Sequence, residues 1–211
     1  AEGARLGVFI SGAFGVFTDG YGANNTASPD SFFFADTGGW CVFLEEGEGS
    51  LSSTWEQFRL SLNQGGSIAL TEDITAFPYD SILSIPAGVT VELDLQGHTL
   101  DASALNPPAG VEYPCCLSIN GILTLSDTVG GGRFKGGDNG FTDFIAAESG
   151  SSFTMNGGAI VGSGTLENVV YVYDYATFTM HGGAVTADMN GTVRRFGRVS
   201  VDDYATFIMN G

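Results

Sequence analysis

From Ser67 onward, hydrophobic and polar residues alternate in short runs. In "VTVELDLQGHTL", Val89, Val91, Leu93 and Leu95 share one parity, while Thr90, Glu92 and Asp94 take the other. In "VYVYDYATFTM", Tyr171, Tyr173 and Tyr175 interleave with Val170 and Val172, and Phe178 and Met180 bracket Thr179. A period of two is the pattern of a strand with one face in a core. Weaker versions run through "SIALTEDIT" (Ser67–Thr75), "SILSIP" from Ser81 and "CLSINGILTLSDTVGGGRFKGG" (Cys116–Gly137). Glycine-rich breaks separate the runs, so the elements predicted are short strands joined by tight corners.

The pattern also repeats at long range. "AAESGSSFTM", "YVYDYATFTM" and "SVDDYATFIM" align, with Phe153, Phe178 and Phe207 recurring after 25 and 29 residues. A period of this size marks a solenoid. Each copy has room for strands and corners but not for a helix, which excludes ankyrin, tetratricopeptide and leucine-rich arrays in their usual forms. The reading is an all-β chain, a parallel β-helix with about three strands per coil and about five or six coils after Ser67. The final "ATFIMNG" stops where its counterparts run on, so the sequence reads as the N-terminal part of a longer β-helix with an open last coil.

"LSIPAGVTVELDLQGHTL" followed by "FTMNGG" units resembles the right-handed parallel β-helix regions of bacterial cell-surface and secreted proteins, which share the pectin-lyase-like fold. The resemblance covers the chain from about Ser53 to its end. It implies a fold and an extracellular or cell-surface setting, and leaves activity open.

Ahead of the coils, "SSTWEQFRLSLNQGG" carries a helical stripe of Trp55, Phe58 and Leu62, and Ser53 stands at capping-box spacing from Glu56. Gly65 and Gly66 end it. A helix over about 53–64 would cover the first coil, whose edge is otherwise free to pair with other chains. Residues 1–50 form a Phe- and Gly-rich extension of strands and loops, and Phe32, Phe33 and Phe34 need burial. The extension either packs on the first coils or adds a strand to another subunit.

Composition narrows the partners. The chain has 211 residues, 24 acidic and 7 basic, for a net charge of −17. Nucleic acid is excluded as a partner by the lack of a basic stripe, since Arg194, Arg195 and Arg198 are the only local cluster. No apolar run is long enough for a transmembrane helix. The odd set Cys41, Cys115 and Cys116 allows one disulfide or buried free thiols.

Candidate chemistry is sparse. Asp174 aligns with Asp203, and stacked on adjacent coils they form either a calcium site or a solvated acidic ridge. Tyr171, Tyr173, Tyr175 and Tyr204 form either a strip for sugar stacking or protein contact, or packing beneath a loop. Fragments of a glycoside-hydrolase set occur as His98, Arg133, Lys135, Asp202 and Asp203, but in the wrong order. Ile208 interrupts the Thr177, Thr179 and Thr206 ranks that an ice-binding face would need. No catalytic residue and no cofactor other than calcium is assigned. The expectation is a noncatalytic secreted or cell-surface module, an adhesin or stalk, contacting carbohydrate or a host or cell-surface protein. The alternatives are a polysaccharide-degrading enzyme fragment and a subunit that self-associates through its N-terminal extension or open last coil.

Overall fold

The computed structural model describes residues 31–35, 41–45, 54–137, 139–163, 166–188 and 198–210. They belong to two units, one within Ala1–Leu51 and one within Ser52–Gly211. In the first, β1 (Ser31–Ala35) pairs antiparallel with β2 (Cys41–Glu45), setting Phe33 opposite Phe43. The side chains of Phe32, Phe33 and Phe34, with most of the extension, lie outside the described residues.

The second unit opens with α1 (Thr54–Gln64), which buries Trp55, Phe58 and Leu62, the stripe legible in the sequence. The Trp55 indole N–H donates to the carbonyl of Ser81 (2.8 Å), and the Glu56 carboxylate accepts from the amide of the same residue (2.6 Å). These two bonds fix the helix against the first coil, and its three apolar side chains join the core of the strands that follow. Ser53 lies outside the described residues.

The remaining strands wind into about five coils. Sheet A holds β3 (Gly66–Ala69), β6 (Thr90–Asp94), β9 (Ile122–Ser126), β12 (Ser152–Met155), β15 (Thr177–Met180) and β18 (Thr206–Met209). Sheet B holds β4 (Ile74–Thr75), β7 (Thr99–Ala102), β10 (Arg133–Gly136), β13 (Ala159–Ser163) and β16 (Ala184–Asp188). Sheet C holds β5 (Leu83–Ile85), β8 (Cys115–Ile119), β11 (Asp143–Ala147), β14 (Asn168–Val172) and β17 (Val199–Val201). The chain passes from A to B to C and back, and every strand pair in these sheets is parallel. The unit is an all-β parallel solenoid preceded by one short helix.

Alternation along each strand becomes columns down the stack. Register sets Leu123, Phe153, Phe178 and Phe207 one above another in sheet A, and Leu100, Phe134, Ile160 and Val185 likewise in sheet B. Adjacent coils are about 4.8 Å apart, the strand-to-strand spacing of a sheet, so like side chains in a column touch. Outside, register puts Thr206 over Thr177 and Ile208 over Thr179, as the alignment implied.

In the later coils the two kinds of corner have different chemistry. After β12 and β15 of sheet A, paired glycines make the turn: Gly158 and Gly183 have φ of 78° and 86°, and a Cβ on Gly183 would lie 2.5 Å from the carbonyl oxygen of Gly158 on the coil below. Only glycine meets both demands. From β11, β14 and β17 of sheet C back to A, the chain turns on two left-handed residues in succession: Ser149–Gly150, Asp174–Tyr175 and Asp203–Tyr204. The Gly150 amide donates to the carbonyl of Asp174 (2.8 Å) and the Tyr175 amide to that of Asp203 (3.1 Å), so these corners are hydrogen-bonded coil to coil.

Candidate functional site: the outer face of sheet C

The left-handed corners determine where the tyrosines point. Tyr175 and Tyr204 occupy the second corner position on consecutive coils, so their rings leave the backbone in the same direction. They stack at 5.4 Å between centroids and 11° between planes. Both are solvent-exposed, at 66% and 83%. Tyr171 and Tyr173 are two residues apart on one extended segment and share a face. Their rings stack at 4.7 Å and 20°, half-buried on the outer side of sheet C. All four tyrosines picked out in the sequence therefore gather on one side, as two stacked pairs.

Acidic and polar groups surround them. The column Asn120, Glu148, Tyr173 and Asp202 is set by inter-coil backbone bonds that carry each residue above the last. Glu148 accepts from the Ser118 hydroxyl (2.6 Å), from the Asn120 amide (3.4 Å) and from the Tyr173 phenol. Burial, the bond to Glu148 and the charge of that carboxylate push the Tyr173 phenol well up. Tyr171 is raised by burial and then by Asp202, Asp203 and Asp143. Both phenols stay protonated, and that of Tyr173 donates to Glu148.

Asp143 opens β11 with only 5% of its surface exposed. Its Oδ1 accepts from the Asn168 amide one coil up (2.7 Å), and the Asn168 carbonyl accepts from the Ser200 hydroxyl one coil further. Burial raises Asp143 to about 6, with Glu167 adding to the rise and the Asn168 bond opposing it. Cys115, its partner in β8, is pushed up to about 12 by burial and by the charges of Glu148 and Asp143. Burial also raises Cys116. Both are free, protonated thiols and poor nucleophiles. Cys41 lies in β2, where side chains are outside the described residues.

Asp174 and Asp203 sit on adjacent coils at the first left-handed corner position, both exposed. They align as the sequence indicated. Among the described residues no group of three or more His, Cys, Asp or Glu side chains converges as a metal site. Two carboxylates alone supply fewer than the six to eight oxygens calcium takes, so water or a ligand would have to complete the shell.

The hydrolase-like fragments are dispersed. His98 precedes β7 and lies 3.4 Å from Asp73, and Lys135 in β10 pairs with Asp101 at 2.9 Å, both on the sheet B side. Asp202 and Asp203 belong to the C-to-A corner of the last full coil. His181 follows β15 where Asn156 follows β12 and Asn210 follows β18, and its Nδ1 is 3.4 Å from the Asn210 side chain. It is a corner substitute. Arg194 and Arg195 lie outside the described residues.

Sequence reasoning missed Asp143, Glu148 and Asn168. Glu148 was within reach, because the repeat alignment sets it in line with Tyr173 and Asp202. Asp143 lies upstream of the aligned copies, and only the coil stack shows its burial.

The chain matches no protein-family model, no curated protein and no solved structure in comparisons with each.

Proposed function

We propose that this chain is a noncatalytic β-helix module of an extracellular or cell-surface protein, of the pectin-lyase-like kind, that attaches to a surface or partner through the tyrosine strip. The observation that supports this reading is the pair of stacked, exposed rings of Tyr175 and Tyr204, with Tyr171 and Tyr173 beside them. Large aromatic rings held in solvent on a rigid scaffold suit contact with sugar or protein, because they offer area at small entropic cost. The in-register stack gives that scaffold, and the same regularity suits a stalk that holds the strip at a fixed distance. Asp174 and Asp203 are the residues that would take calcium, where a ligand on the strip supplies further oxygens.

The test is a glycan-array screen beside a cleavage assay on polyuronides, each with calcium and with chelator. The expected result is no cleavage under either condition, with any binding lost in Tyr175→Ala/Tyr204→Ala. Cleavage that disappears in Asp174→Ala or Asp203→Ala would make the chain an enzyme and overturn the reading.

A further inference from the structure

We infer that the tyrosine strip takes a cationic peptide segment, rich in Lys or Arg, whose side chains lie over the stacked rings while the flanking carboxylates supply the counter-charge. This rests on the preceding reading of the strip as the contact surface and names the ligand it fits.

Three observations carry it. First, the charged side chains that act on the strip are acidic. Asp143, Asp202 and Asp203 act on Tyr171 and Glu148 acts on Tyr173, while Asp174 and Asp203 adjoin Tyr175 and Tyr204 in the corners. Second, three of the described basic side chains stand away from the strip: Arg59 pairs with Glu56 on α1, Lys135 pairs with Asp101, and Arg133 stands in β10 on sheet B. Arg198, ahead of β17, is the one described cation beside sheet C. Third, ring surface is available: Tyr175 and Tyr204, stacked on each other, are the most exposed members of the strip.

Charge then selects among ligands. A polyuronide brings like charge to a face where Asp and Glu already crowd, in a chain of net charge −17. A neutral glycan would cover these carboxylates without offsetting the cost of their desolvation. An ammonium or guanidinium group offsets that cost and gains from the ring quadrupole as well. The same field attracts the ligand from a distance, so the interaction should weaken with salt.

The experiment is fluorescence anisotropy of labelled octalysine and octa-arginine with the full 211-residue chain, at low and at physiological salt. Neutral and uronic oligosaccharides serve as competitors. Loss of two exposed cation–π faces in Tyr175→Ala/Tyr204→Ala should raise Kd about tenfold. Tyr175→Phe/Tyr204→Phe should keep the affinity, because phenyl rings retain the quadrupole. Tyr79→Ala, an exposed tyrosine at a different corner, should leave it unchanged. Circular dichroism melts of each variant report folding independently of binding. Peptide binding that is equal in the wild type and the Ala pair would mean undirected charge attraction and overturn the inference. Neutral-glycan binding that is lost in the Ala pair, with no peptide binding, would overturn the cationic ligand and leave the strip as the contact surface. If neither ligand binds, both readings fall.

Discussion

The rings of Phe153 and Phe178 stack nearly parallel, 4.5 Å between centroids and 12° between planes, one coil apart in the core. Phe207 extends the ladder at 5.1 Å and 21°. Both Phe153 and Phe178 are fully buried, and Phe178 has a ring on either side. Phe178→Ala should therefore cost about 3–5 kcal/mol, the transfer of the ring plus the cavity left between its neighbours. Phe207, only partly buried, should cost less. Urea unfolding of the two Ala variants gives the comparison, and equal costs would contradict a ladder graded by burial.

Ser151 presents the opposite case. Its hydroxyl is buried and has no hydrogen-bond partner, while the aligned corner positions on the next two coils hold Ala176 and Ala205. A buried hydroxyl without a partner loses its water bonds and regains nothing. Ser151→Ala should stabilise the fold by about 1 kcal/mol, and the reverse change Ala176→Ser should destabilise it. Thermal melts of both variants test the pair. A lower midpoint for Ser151→Ala would show that the hydroxyl is satisfied.

Asp143 gives the fold a dependence on pH of unusual sign. In the fold its carboxyl holds a proton up to about 6, whereas unfolded it releases it near the ordinary value of 3.8. Between these values the folded state binds more protons, so this residue's contribution to stability falls as pH rises through the window and is flat above it. Glu56, Asp94 and Asp101 act in the other sense: burial raises them, but hydrogen bonds outweigh it and leave them lowered. Their stabilisation is lost as pH falls through their folded values. Asp143→Asn isolates the one residue, since an amide oxygen can still accept from Asn168. The variant should gain stability over the wild type at pH 8, with the difference shrinking towards pH 4. Denaturant midpoints across that range decide it, and a constant difference would refute the assignment.

Gly121 is required by space and not by dihedral angle. A Cβ there would lie 2.3 Å from the carbonyl oxygen of Val89 and 2.5 Å from that of Pro86, both backbone atoms of the coil below. The corner also bonds here, the Gly121 amide donating to the carbonyl of Ile85 (3.1 Å) and the Ile122 amide to that same carbonyl oxygen of Val89 (2.9 Å). Gly121→Ala should cost about 3 kcal/mol, at the upper end for overpacking because backbone must move. Gly140→Ala, where the added atom meets nothing within 4 Å, isolates the conformational cost of a left-handed residue and should be milder. Melting midpoints of the two variants separate steric from torsional cost.

Much of this molecule is determined along the chain. Alternation in "VTVELDL" and "FTM" sends Val91, Leu93, Phe153 and Met155 inward because side chains of a strand take opposite faces in turn. The Trp55, Phe58 and Leu62 stripe sets a helix at the entrance for the corresponding reason at a period of 3.6. Near-identical copies made the column of Phe153, Phe178 and Phe207 readable, along with the alignment of Asp174 with Asp203.

What lies over what in the less regular coils was decided only by the stack. Neighbours across coils are separated by 25 to 34 residues, as with Asp143 and Asn168 or Asp94 and Thr128, and corners of unequal length set the register. The burial of Asp143, the bonds that converge on Glu148 and the dispersal of His98, Lys135 and Asp202 all follow from that register. The tyrosines are the clearest instance. Their spacing in the sequence shows only that they repeat; the left-handed corners, bonded coil to coil, turn Tyr175 and Tyr204 outward and bring their rings together.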